Sequence, residues 1–206
     1  MESANFRPSE SPPLLIVISG SSGAGKDAAI ERMKQQRLPF CFVVTTTTRE
    51  CRTNEVPGVH YNFVSVDEFH RLVEAGEMLE WAKVYDNYYG VPRASVRDAL
   101  STGRDVVVKV DVQGAATIRK VVPGAVLIFI QPPSMEELER RLRNRHSETP
   151  EELAVRLGKA AHEYEQLPLF DYVLTNYPGR IEDVVREVQA ITTAEKCRVE
   201  PRCVEL

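Results

Sequence analysis

Gly20-Ser21-Ser22-Gly23-Ala24-Gly25-Lys26 matches the pattern GxxxxGK. Its glycines let consecutive backbone N–H groups turn toward one centre and surround anionic oxygens, and Lys26 adds a mobile cation, so the segment is suited to cradling a polyphosphate. The next residue is Asp27, where such a loop ordinarily offers magnesium a hydroxyl. A carboxylate is also an oxygen ligand, direct or through water, but its charge beside phosphates must be offset by the metal or by cations. Asp27 equally suits the first turn of a helix, where a negative charge is favourable.

A second group is spread from residue 45 to 88. Thr45, Arg49, Arg52, Tyr61 and Tyr88 offer a hydroxyl, two bidentate cationic forks and two phenols, a set that suits a second phosphate. Glu80 and Asp111 are acceptors for the N–H donors of a nucleobase, and Asp111 ends an expected parallel strand, where α/β folds place their ligands. Taken singly, each of these residues also suits an ordinary surface or core-edge position.

The elements around them follow from hydrophobic period. Residues 14–19 (LLIVIS) form a continuous apolar run of strand length, and residues 28–36 read as a helix with Ile30 and Met33 on its buried stripe. Two more apolar strands, 106–110 and 126–130, alternate with helical patterns, which predicts an α/β fold with a mostly parallel core sheet. Residues 40–48 (FCFVVTTTT) and 60–64 are β-rich and open an inserted lobe. Ser65 with Glu68 predicts a capped helix through Glu74, and Trp81, Tyr85, Tyr88 and Tyr89 an aromatic hairpin. Ser134 with Glu137, and Thr149-Pro150, cap two helices that meet at residues 145–149 with the composition of a lid. Residues 170–175 read as a strand, 181–191 as the last helix, and the tail beyond Glu195 as irregular.

Composition excludes several classes. The 206 residues, 43% hydrophobic and 27% charged, allow one substantial core with appended lobes and rule out wholesale disorder. A net charge of −4 argues against a nucleic-acid polymer as partner. Cys41, Cys51, Cys197 and Cys203 form no close pair, so a structural zinc site is not expected. No apolar run is long enough to span a bilayer, and a cytoplasmic location is expected, or an organelle interior if a targeting peptide is missing.

From about Leu14 to Glu195 the chain resembles the guanylate kinases, including plastid-type and certain bacterial members with Gly-Lys-Asp loops. The resemblance is carried by GSSGAGK, TTTTR through Arg49, Arg52, Glu55, Gly58-Val-His-Tyr61-Asn-Phe63, Leu79-Glu80, Tyr88-Tyr89-Gly90 and Val110-Asp111-Val-Gln-Gly-Ala115. It implies a P-loop nucleoside triphosphate hydrolase fold with an inserted GMP-binding lobe and a helical lid, and transfer of a phosphoryl group from ATP to GMP with magnesium. No membrane and no obligatory protein partner are implied. The implied divisions are a flexible segment 1–13, core 14–48, GMP lobe 49–98, core 99–138, lid 139–160, core 161–195 and tail 196–206. By the resemblance, Gly20, Ser21, Ser22, Gly23, Ala24, Gly25, Lys26 and Asp27 bind ATP, with Asn176 on the adenine side and Asp27 toward the metal. Thr45, Arg49, Arg52, Glu55, Tyr61 and Tyr88 hold the GMP phosphate, Glu80 and Asp111 read guanine, and Arg141, Arg145 and Arg156 reach the transfer region on lid closure. Two positions depart from the family. His60 replaces a common aspartate, and Val91 replaces a hydroxyl that helps recognise guanine, a loss of about 1 to 3 kcal/mol if nothing substitutes for it. Two alternatives stay open: a noncatalytic binding module of the same fold, and a phosphokinase acting on a sugar phosphate.

Overall fold

A computed structural model describes residues 11–53, 55–84, 86–144 and 150–206, apart from the side chains of 150–152. β1 (Leu15–Gly20) is buried along its whole length. From Leu14, just before it, the chain alternates between two apolar clusters: Leu14, Ile16 and Ile18 enter one, Leu15 and Val17 the other. Side chains of period two with both faces covered explain why the run is continuously apolar. Next come α1 (Lys26–Gln35), β2 (Phe40–Phe42), β3 (Thr46–Thr47), β4 (Asn62–Phe63) and α2 (Val66–Glu74). The hairpin β5 (Met78–Val84) and β6 (Asn87–Pro92) leads to α3 (Arg93–Ser101), β7 (Asp105–Lys109) and α4 (Val112–Val121). The chain then forms β8 (Val126–Gln131), α5 (Met135–Arg143), α6 (Pro150–Glu165), β9 (Tyr172–Thr175) and α7 (Ile181–Lys196).

Five strands make a wholly parallel sheet in the order β2-β7-β1-β8-β9. One face packs on α1 and α7 through Ala29, Met33, Val184 and Val188, and the other on α3 and α4 through Val96, Ala115 and Ile118. Fully burying such an aliphatic side chain contributes about 2 kcal/mol. A second sheet, β4-β3-β6-β5, mixes parallel and antiparallel pairs. The β-rich run 40–48 is therefore two strands in two sheets. Val43 still bonds the Val107 carbonyl of the core, whereas the Thr45 carbonyl already accepts from Asn62 of the second sheet. Thr45 sits at the crossing between the two.

Local signals set the helix ends. The Ser65 and Ser134 hydroxyls accept from the N–H groups of Glu68 and Glu137, each satisfying a first-turn donor. α7 runs five residues beyond the expected 191, to Lys196, carrying Glu195 into a buried position. The tail after it has no regular structure but is docked. Arg202 donates to Glu195 at 2.8 Å, and the Cys203 carbonyl lies where a Cβ on Gly124 would stand. Among the described residues no helix is long and apolar enough to cross a membrane.

Candidate functional site

The GxxxxGK loop joins β1 to α1. Gly20, Gly23 and Gly25 have φ of 137°, 89° and 104°, values an L side chain adopts only under strain. Gly25 caps α1 without a side-chain hydrogen bond, which leaves the first-turn N–H groups available to an anion. A Cβ at Gly25 would also collide with the Asn176 amide. The loop lines a hollow of about 310 Å³ with Ser22, Gly23, Gly25, Lys26, Asp27 and Ala28. Lys26 Nζ donates to the carbonyls of Gly20 at 2.6 Å and Ser21 at 3.0 Å. Burial pulls its pKa below the ordinary lysine value, and Asp27 opposes that pull.

Two polar side chains brace the loop from behind. Asn176 Nδ2 donates to the Ala24 carbonyl at 2.9 Å, and Arg141 reaches the carbonyls of Ala24 at 3.2 Å and Asn176 at 2.8 Å. In this geometry both residues hold loop backbone. Arg156 on α6 contacts Ser22 Oγ at 3.3 Å, the front of the loop. Arg145 lies outside the described residues.

Just beyond β3, Arg49 Nη2 donates to both carboxylate oxygens of Glu55, at 2.7 and 2.9 Å, and the guanidinium stands over the rings of Tyr61 and Phe63. Burial works against the Glu55 charge, but Arg49 and the Arg52 N–H offset it and hold its pKa below the usual carboxylate value. The Arg52 side chain is exposed beside this pair. Thr45 Oγ1 donates to the Lys109 carbonyl at 3.3 Å.

The sequence reading of Tyr88 needs correction. β6 alternates its faces, and the Tyr88 ring stacks on Phe69 with His70 and Trp81 beside it, against α2. Its neighbour Tyr89 packs edge-on against Tyr61 and hydrogen-bonds Arg49. The phenol that joins the arginine cluster is Tyr89.

Glu80 on β5 is 4% exposed. Burial first, and then the nearby Asp111, pushes its pKa up to about 8, although the Val91 N–H bonds its carboxyl. Asp111 caps α4 by accepting from Gly114 N at 2.8 Å, and burial raises its pKa as well. Gly114 is required by close approach: a Cβ there would lie 2.5 Å from Glu80 Oε2. Val91 is itself fully buried in the core, so the departure at this position removes a hydroxyl but keeps a backbone donor on Glu80.

Sequence reasoning missed four residues here. Tyr89 was hidden by strand phase, and Gly114 shows its use only when Glu80 is placed above it. Glu163 on α6, pushed up to about 6 by burial, lies within electrostatic range of Lys26 and Asp111. Lys109 bonds Asp27 and Tyr61 together; the visible signal was one lysine in the otherwise apolar strand VVVKV.

For a metal, no group of three or more His, Cys, Asp or Glu side chains is assembled among the described residues. Magnesium bound to nucleotide phosphates keeps waters and needs only one or two carboxylates, and Asp27, 73% exposed at its side chain beside Lys26, fits that requirement.

The guanylate kinase family model matches residues 13–195. Over 195 residues the chain is 43% identical to guanylate kinase 2, chloroplastic/mitochondrial, of Oryza sativa subsp. japonica, covering 94% of this chain and 68% of that protein. It is 43% identical over 187 residues to the guanylate kinase of Caldanaerobacter subterraneus subsp. tengcongensis, covering 91% of this chain and 90% of its relative. The crystal structure of guanylate kinase from Anaplasma phagocytophilum matches with a TM-score of 0.76 at 32% identity, over 92% of this chain and 89% of that one.

Proposed function

The chain belongs to the guanylate kinase family and transfers the terminal phosphoryl group of ATP to GMP, giving ADP and GDP, and we propose the following division of labour among its residues. The Gly20–Lys26 loop holds the ATP phosphates through its N–H groups and the Lys26 ammonium. Arg141 and Asn176 act on ATP through the loop they brace, while Arg156, already at Ser22, supplies charge on the transfer side. Arg49, Arg52, Tyr61, Tyr89 and Thr45 hold the GMP phosphate, with Glu55 fixing the Arg49 fork. Glu80 and Asp111 accept from the ring N–H and amino group of guanine.

In the reaction an oxygen of the GMP phosphate attacks the terminal phosphorus of ATP. The new P–O bond forms as the bond to the bridging oxygen breaks, and ADP leaves with the negative charge. The protein's contribution is positioning and electrostatic stabilisation: Lys26 and the arginines meet charge that spreads over the transferring oxygens. The family uses magnesium-ATP; bound near Asp27, the ion would neutralise phosphate charge. Closing α5 and α6 over the loop excludes water from the reacting phosphates.

The observation that carries the guanine assignment is the buried Glu80–Asp111 pair above Gly114: two acceptors in a dry wall match a base edge made of donors. Adenine presents a ring acceptor there, which Glu80 meets only as the neutral acid, and it lacks the amino donor that Asp111 would accept, so a buried acceptor is left unsatisfied. The test is turnover by the purified protein with magnesium-ATP and GMP, AMP, CMP, UMP or a phosphorylated sugar as acceptor, the nucleotides being separated directly. GDP and ADP in equal amounts from GMP alone is the expected result. Preferred turnover of a sugar phosphate, or nucleotide binding without transfer, would overturn it.

A further inference from the structure

Lys109 is the last residue of β7, two positions before Asp111. Its ammonium pairs with the Asp27 carboxylate at the start of α1 and donates to the Tyr61 hydroxyl at 2.7 Å. The nitrogen also stands 4.5 Å from the Tyr61 ring centroid, and the Lys109 carbonyl accepts from Thr45. The side chain is only 18% exposed. Burial alone would lower its pKa; Asp27 and Tyr61 more than compensate and raise it, so the group is a cation in a dry place. One ammonium thus touches the helix that begins at the donor loop and a phenol of the acceptor lobe.

We propose that Lys109 is a positioning residue for phosphoryl transfer: by tying Asp27 to Tyr61 it fixes the spacing of the donor and acceptor phosphate sites and offsets the Asp27 charge between them. This rests on the assignment of the Gly20–Lys26 loop to ATP and of Tyr61 to GMP. The physical need is clear from the charges. With ATP in the loop, Asp27 would stand beside phosphates that its carboxylate repels, and Lys109 supplies a counter-charge from the neighbouring strand. The reacting oxygens lie on two separate lobes, and a misplacement of about 1 Å costs about 100-fold in rate.

The experiment compares wild type with Lys109→Met, Lys109→Arg, Asp27→Asn and the double variant Lys109→Met/Asp27→Asn. It measures kcat, both KM values, thermal midpoint and GMP affinity by calorimetry. Lys109→Met is expected to lower kcat about 100-fold while KM for GMP rises only a few fold, and Lys109→Arg to recover most of kcat. The double variant is expected to lose about tenfold less than the product of the two single losses, because each partner exists to meet the other. If Lys109→Met does not fold, Lys109→Gln takes its place in the same cycle. Additive losses, a kcat for Lys109→Met within about threefold of wild type, or an Arg variant as impaired as Met would overturn the proposal. A folded wild type that binds ATP but does not phosphorylate GMP overturns the underlying functional reading as well.

Discussion

On the proposed assignment the donor loop and the acceptor lobe hold phosphate with opposite materials. The donor loop uses backbone: three glycines at positive φ aim N–H groups inward, and the polar side chains of Asn176 and Arg141 are spent keeping that backbone in place. The acceptor lobe uses side chains: Arg49 is aimed by Glu55, Tyr61 by Lys109, and Glu80 is lodged against Gly114. A backbone cradle recognises phosphate and little else, whereas a side-chain site also selects the base. Substitutions should therefore split cleanly, donor-side changes acting on transfer and acceptor-side changes on GMP.

The largest effect falls on the donor side. Lys26→Met should lower kcat about 1,000-fold while calorimetry finds GMP affinity within about threefold of wild type; parallel losses would break the division. Next, Glu80→Gln should raise KM for GMP about 100-fold and leave KM for ATP within about threefold, since hydrogen bonds to a buried charge are lost. Gly114→Ala, which crowds the same carboxyl, should raise KM for GMP about tenfold without touching ATP, and an unchanged KM would show that Glu80 has room to move. The smallest effect sharpens the strand phase. Tyr89→Phe should raise KM for GMP several-fold, up to about tenfold, against less than about twofold for Tyr88→Phe, and the reverse order would return the phosphate contact to Tyr88.

The same contrast explains what was legible in the sequence. The donor loop depends on glycine spacing within seven contiguous residues, and the capping hydroxyls Ser65 and Ser134 lie three residues from their targets, so local pattern sufficed. The parallel core was equally visible, because a strand buried on both faces must be apolar throughout. In the acceptor lobe, Tyr88 and Tyr89 are both half-buried aromatics on one strand, and only pairing with β3 decides which faces Arg49. The division of residues 40–48 between two sheets, the bridge made by Lys109 and the docking of Arg202 on Glu195 arise from tertiary contacts with no local pattern. The resemblance to a known family brought the remaining acceptor residues together before any geometry did.

The central claim is that guanine is read by a carboxyl stored as an acid in the free protein. Burial and Asp111 raise the Glu80 pKa to about 8, which favours the neutral acid at pH 7, and accepting from both donors of guanine favours the carboxylate, so GMP affinity should rise with pH and level off above about 8. The most direct measurement is calorimetry of GMP binding at pH 7 in two buffers of different ionisation enthalpy, for wild type and Glu80→Gln. The account predicts that wild type releases protons on binding GMP at pH 7 and that the variant releases fewer. Equal proton release by the two proteins, with the same pH dependence of affinity, would contradict it.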